Sequence, residues 1–540
     1  MLSSTETTVE TIWAELLQLD KINPEDNFFE LGGDSLTTLE MLFRTGDAFG
    51  VEIRPGDIIN APTLREFCQF IDMNKSGVPP VSDKTQDEAF EEIVPCARKE
   101  NMPVSFIQEQ IVGAELAGLY DPSKTRSHCL ALCYRIEGVI DTSALDKALC
   151  EIVRRHETLR TSYGVEDGTI FQKVNEAPEA MLCEVDLSNL GQDGRKGVID
   201  CVLHRMANYS FSYFNDKLMI SAILITDAAQ EHILVIIVNH VAIDGLSMTM
   251  FRNELFLLYN AFTLDEQSPL ADPPIQYADY AVWEREHFSG GRLESKLAYW
   301  RQISREPLSA ALPVDHTPET ISYAGDIVPV TILPELTAQM QQLARKRKVT
   351  LFTVLFAAFI TLIHAFSGYR YNIFCMPVAN RSRRETRSLI GCLMNFQFVY
   401  IDLSDNPTFL ELIERLNRTL HDVYDNYVPF HLISQQISPQ GPVVDFQLMT
   451  APDETAYPEG LSFFPLKLQP HEFALFPIDV YLLGSSEAIT GHFKYQTAKY
   501  DRQTIMDMVS DYMCLLERMT REPDIRLSDM GIKPHNSVVQ

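Results

Sequence analysis

The chain has 540 residues, too many for one hydrophobic core and enough for three or four structural units. Its formal charge of −29 leaves no basic face for nucleic acid or an anionic membrane surface, so neither is expected as a partner. Ten cysteines form no CxxC pair and stand apart from any histidine at zinc-ligand spacing, the N-terminus shows no basic and then apolar leader, and no run approaches about 18 apolar residues; a cytoplasmic protein with reduced thiols and no metal is expected.

The first element is a helix-compatible stretch from Val9 to Leu19, with apolar residues at Val9, Ile12, Trp13, Leu16 and Leu19. Phe28-Phe29-Glu30-Leu31-Gly32-Gly33-Asp34-Ser35-Leu36 follows, an apolar knot and a glycine turn that lead into a second stripe, Leu36, Leu39 and Leu42. A third short helix, Thr63 to Ile71, would close a bundle of about 75 residues, large enough to fold alone. On local grounds Ser35 reads equally as a helix N-cap and as an attachment point.

Between Asn74 and Glu91 the sequence turns rich in Pro, Gly, Ser and charge and loses its periodicity, as a linker does. Beyond it, Cys129 to Gly138 reads as a strand and Asp141 to Tyr163 as one capped amphipathic helix. His232 to Val238 is a short apolar run of the kind a strand buried on both faces requires. Thr350 to Phe366 reads as a buried helix and Tyr371 to Val378 as another strand, so two related α/β lobes of about 200 residues are expected.

Directly after the His232 strand come Asn239-His240-Val241-Ala242-Ile243-Asp244-Gly245-Leu246-Ser247. His240 titrates near neutral pH and can take a proton from an amine and return it; the alternative is a core histidine satisfied by hydrogen bonds.

Two sets of motifs carry a resemblance. The segment Asp26 to Leu36, with a tryptophan in the preceding helix, resembles the peptidyl carrier (thiolation) domains of nonribosomal peptide synthetases over residues 5 to 75. The resemblance implies that Ser35 receives 4′-phosphopantetheine from a phosphopantetheinyl transferase and holds an aminoacyl or peptidyl group as a thioester. Ser105–Gln110, Arg155–Thr161, Asn239–Ser247, Tyr277–Trp283, Ile390–Asn395, Asn426–Ile433 and Val444–Met449 follow the order of condensation-domain motifs, so about 95 to 525 resembles a condensation domain.

The implied architecture is a small all-α four-helix carrier bundle (1–76), a linker (77–94), an α/β condensation domain of two chloramphenicol-acetyltransferase-like lobes in a V (95–285 and 286–525), and a C-terminal linker or tail (526–540). Carried over by motif, His240 and Gly245 would be catalytic, Gly245 through its backbone N–H. Asp244, paired with Arg160, would hold the loop together with Asn239, and Ser247 would be either a further hydrogen-bond donor or a hydroxyl that supports the loop. Asn239 stands where the family carries a first histidine, and Gln110-Ile111-Val112 replaces its usual Arg and aromatic.

The expected reaction is amide-bond formation, an acyltransferase step from Ser35 as donor to an acceptor carrier protein or free amine. No adenylation domain is recognisable, so loading in trans or by a missing segment is expected. A terminal release or cyclisation domain, an epimerase and a non-catalytic recruitment module are the competing readings.

Overall fold

The computed structural model describes residues 4–532 apart from 18, 20, 29–30, 32–34, 52, 54–56, 59–60, 76–91, 118–128, 304–311, 321, 382, 438–443, 451–456, 469–471 and 485–487. The expected linker therefore lies almost wholly outside the described residues, as do Gly32, Gly33 and Asp34.

Three described helices, Ser4–Leu17, Ser35–Phe49 and Leu64–Lys75, make the N-terminal bundle. Their apolar stripes meet in one core of Val9, Trp13, Phe28, Leu42, Leu64, Phe67 and Ile71. The Phe28 ring packs edge-on to Trp13 with centroids 4.9 Å apart, which fixes the Phe knot against the first helix. Ser35 is the first residue of its helix.

The first lobe is built on a five-stranded sheet in the order Ser462–Pro465, Cys129–Glu137, Glu231–Asn239, Ile220–Ala228, Leu182–Asp186. Every residue from His232 to Asn239 is buried, as its unbroken apolar run predicts for a central strand. Neighbouring strands run antiparallel except the last pair, so the crossovers expected of a parallel sheet are few.

The second lobe carries a seven-stranded mixed sheet in the order Asn395–Asp402, Tyr371–Val378, Val444–Thr450, Ile478–Gly484, Ile489–Gln496, Ala324–Ile332, Glu472–Phe473. One face packs on the helix Leu351–Ser367, whose Phe356 and Phe359 rings stand 5.0 and 5.2 Å from Phe446.

Three boundaries differ from expectation. The helix beginning at Thr142 ends at Arg155 rather than Tyr163, because His156 turns extended and the chain passes through one 3-10 turn into the strand Thr161–Glu166. The break falls where Arg155 and His156 both reach Glu254, at 3.2 and 2.9 Å. The boundary at 285 is crossed by one element, since Ser462–Pro465 leaves the second half of the chain and pairs with Cys129–Glu137 of the first sheet. The segment from 526 does not begin as a tail either: Leu527 and Met530 are buried in the second lobe's core, and Arg526 bridges to Thr408.

Candidate active site

The loop 240–244 joins the central strand Glu231–Asn239 to the helix Gly245–Thr263. Asn239 starts the turn: its Oδ1 accepts the Val241 N–H at 2.9 Å, a local side-chain turn that costs no tertiary partner. Asp244 ends it as the helix N-cap, accepting the Ser247 N–H at 2.8 Å. From below, the Thr158 hydroxyl donates to the Ala242 carbonyl at 3.3 Å, which ties the Arg155–Thr161 motif to the loop.

Asp244 is buried and fully used. Its carboxylate accepts from Arg381 Nη2 at 3.1 and 3.2 Å, and from the Leu393 and Met394 N–H groups at 3.0 and 3.2 Å. Burial alone would raise its pKa, but the Arg381 charge and the N–H donors outweigh that and hold it below the usual carboxylate range. Arg381 is also buried and donates to the Thr386 and Leu389 carbonyls at 2.8 and 2.7 Å. The pair therefore joins the His240 loop of the first lobe to the segment 381–394 of the second.

Arg160 is not the partner of Asp244. Its guanidinium donates to the carbonyls of Val153, Arg154 and Asn175, fastening the end of the helix Thr142–Arg155 to the neighbouring strand. The expectation failed because an arginine in a family motif can be satisfied by carbonyls near it in sequence, while Arg381 reaches Asp244 from 137 residues away.

Ser247 is buried and engaged on all sides: its Oγ donates to the Gly391 carbonyl at 2.8 Å and accepts from Arg381 Nη2 at 2.6 Å and from the Gly391 N–H at 3.1 Å. It closes the contact between the lobes. Gly391 is tightly enclosed: a Cβ there would lie 2.0 Å from the Tyr277 ring. The Tyr277 hydroxyl donates to the Cys392 carbonyl at 2.5 Å and bonds Ser105 Oγ at 2.9 Å, so the Ser105 and Tyr277 motifs converge on the same segment.

His240 remains half-buried at the centre of this frame. Its Nδ1 lies 3.7 Å from Cys392 Sγ. Burial lowers its pKa below the ordinary imidazole value, partly offset by its own backbone carbonyl and by Asp244, so at neutral pH the ring is uncharged and able to accept a proton. Burial pushes the Cys392 thiol well up, so it stays protonated beside the ring. Gly245 is exposed at the first turn of a 19-residue helix, where a backbone N–H has no intrahelical acceptor, and its missing Cβ leaves space out to Met449 Cε at 3.9 Å.

The arrangement offers one neutral base and a helix N-terminus side by side, with the nearby carboxylate withdrawn into a structural ion pair. Arg381 and Cys392 were not legible as site residues; the Ile390–Asn395 motif was the only sequence signal near either.

Residues 98–537 match the family model described as the condensation domain, and residues 7–71 match the phosphopantetheine attachment site. The chain belongs to the condensation-domain family. An attachment domain for 4′-phosphopantetheine precedes the condensation domain, and Ser35 falls within it. A serine opening a helix suits a phosphodiester, because the helix N-terminus favours an anion there.

Among similar proteins, malpinin synthetase of Mortierella alpina is 30% identical across 96% of this chain, which covers 7% of that protein. The dimodular nonribosomal peptide synthase of Bacillus subtilis is 27% identical across 98% of the chain and 22% of its own length. The chain thus spans a small part of the synthetases it matches. The condensation-domain fold is shared with solved structures. The X-domain from teicoplanin biosynthesis, solved in complex with OxyB, has a TM-score of 0.73 at 22% identity over 82% of this chain and 98% of that one. The first condensation domain of the calcium-dependent antibiotic synthetase gives 0.63 at 17%, over 79% and 98%.

Proposed function

We propose that this chain forms an amide bond by passing an aminoacyl or peptidyl group from Ser35 to an acceptor amine within a nonribosomal peptide synthetase. The bound phosphopantetheine supplies an activated thioester on a long arm. An α-amino group has a pKa near 8 and is mostly protonated at neutral pH, so attack requires the free amine and a place for its proton. His240 accepts that proton as the nitrogen bonds to the carbonyl carbon, and returns it to the departing thiolate. The Gly245 N–H, at the positive end of its helix, faces the carbonyl oxygen as charge grows on it. Asp244 and Arg381 hold the loop, and Ser247 and Asn239 complete its support.

The observation that carries this reading is the division of labour within the loop: Asp244 is consumed by Arg381 and backbone donors, whereas His240 is neutral and partly open. Tethering raises the effective concentration of the reacting groups, so positioning contributes alongside proton transfer. The partners are a phosphopantetheinyl transferase that modifies Ser35, an adenylation domain that selects and loads the amino acid, and a carrier-bound or free acceptor amine. The setting is the cytoplasm.

The test is to load Ser35 with an aminoacyl-phosphopantetheine, add aminoacyl acceptors, and follow amide product by intact-protein mass spectrometry for wild type and His240→Ala. Transfer by the wild type and its loss in the variant is the expected result. Hydrolysis without amide product would replace this reading with a release function, and inertness toward every acceptor would replace it with a recruitment role.

A further inference from the structure

The segment 381–394 does more than support His240. Arg387 Nη1 lies 3.1 Å from Asp47 Oδ1, and Arg384 Nε lies 3.6 Å from the same oxygen. Asp47 belongs to the helix Ser35–Phe49 of the carrier. Beside it, Gly46 is required first by the carrier's own Val51 carbonyl, 2.8 Å from where a Cβ would stand, and the same bare backbone lets the Arg387 guanidinium come within 3.3 Å of that point. Charge and shape match at the same point. The chain entering the condensation domain is fastened to this segment as well, since the Ile93 N–H donates to Glu385 Oε1 at 3.0 Å and the Ile93 side chain is buried against Leu389 and Leu393.

We infer that the arginine face of segment 381–394 is the dock on which the carrier rests, with Asp47 seated between Arg384 and Arg387. Asp47 is twelve residues from Ser35 on one helix, so the anchor lies about 18 Å from the loaded end at 1.5 Å per residue. The carrier is held by the end that does not bear the cargo. Its Ser35 end can then swing about the anchor while the domain stays attached. The dock is also close in sequence to the chemistry: five residues beyond Arg387, Cys392 touches His240. The contact is part-exposed, with Asp47 and Arg384 open and Arg387 at 13% accessibility, so water screens it and it is reversible. This inference does not depend on the direction of acyl transfer.

Charge reversal tests it in the whole chain by hydrogen–deuterium exchange, with no substrate present. Asp47→Arg lies on the carrier, yet it is expected to raise exchange in peptides covering 384–394 by about fivefold, the scale of losing an exposed ion pair and meeting like charge. Arg387→Glu is expected to raise exchange in the carrier peptide around Asp47. The double reversal, Asp47→Arg with Arg387→Glu, should restore protection at both places, which a merely misfolded variant would not do. Unchanged exchange in 384–394 upon Asp47→Arg, or no recovery in the double variant, overturns the dock. Neither result bears on whether His240 catalyses transfer, so the two ideas fail separately.

Discussion

Asp244 and Arg381 meet across the two lobes, buried to 3% and 4% exposure, with Arg381 Nη2 at 3.1 Å from Oδ1. An ion pair this deep is weak evidence for stability in itself, but removal of one partner leaves the other charged and unpaired. Asp244→Ala and Arg381→Met are each expected to destabilise the protein by about 3–5 kcal/mol, and the double variant by less than the sum. Chemical denaturation of the four proteins measures the coupling. Because the folded pKa of Asp244 is depressed, its contribution is present above the unfolded carboxylate value and is lost as pH falls through the lowered one. Arg160→Ala should leave that coupling intact.

The transfer rate should fall in acid with a midpoint below the ordinary imidazole value of about 6.5, since burial depresses the His240 pKa. On the alkaline side the acceptor amine sets the profile. His240→Ala should lower the rate about a hundredfold or more and remove the acid limb if His240 moves the proton. A loss below about tenfold with the limb retained would leave only orientation to His240.

Asp445 and Asp479 sit opposite each other on parallel strands, with Gln447 Nε2 at 3.2 and 3.3 Å from their carboxyl oxygens. Burial first, and then the Asp479 charge, push the Asp445 pKa well above the carboxylate range. The unfolded chain releases this proton near pH 4 while the folded one keeps it, so the residue erodes stability as pH rises between those values. Asp445→Asn should therefore stabilise the protein at pH 7 by on the order of 1 kcal/mol and less at pH 4. Urea unfolding at the two pH values decides it.

Gly391→Ala would place a methyl group 2.0 Å from the Tyr277 ring, inside a segment that cannot move without breaking the Ser247 contacts. A loss of about 1–3 kcal/mol in thermal or chemical unfolding is expected, with transfer activity reduced beyond the unfolded fraction. An equally active and equally stable variant would show that Tyr277 can withdraw.

Unbroken apolar runs located the strongest elements because burial on all sides leaves no polar face to interrupt them. The strand Glu231–Asn239 is buried from His232 onward around an apolar run, and the helix Leu351–Ser367 is buried along most of its length. Order of motifs located His240, Gly245 and Asp244. Neither signal reports which distant side chain satisfies which: Arg160 and Arg381 look alike as letters, and only folding separates the one that meets carbonyls from the one that meets Asp244. The end of the helix at Arg155 was hidden for a similar reason, since Glu254, which Arg155 and His156 reach there, belongs to another helix. Strand Ser462–Pro465 was invisible because four residues carry too little pattern and its partner lies over 300 residues earlier.

That strand bears on any attempt to divide the enzyme. It covers one margin of Cys129–Glu137, so a first lobe produced alone from 95 to 285 would leave a row of backbone donors and acceptors bare along that edge of the sheet. Such a fragment would seek another strand, most readily from a copy of itself. The two halves are sewn together by this strand as well as by the Asp244–Arg381 and Ser247–Gly391 contacts, and a cut placed by motif order alone would unpick both seams.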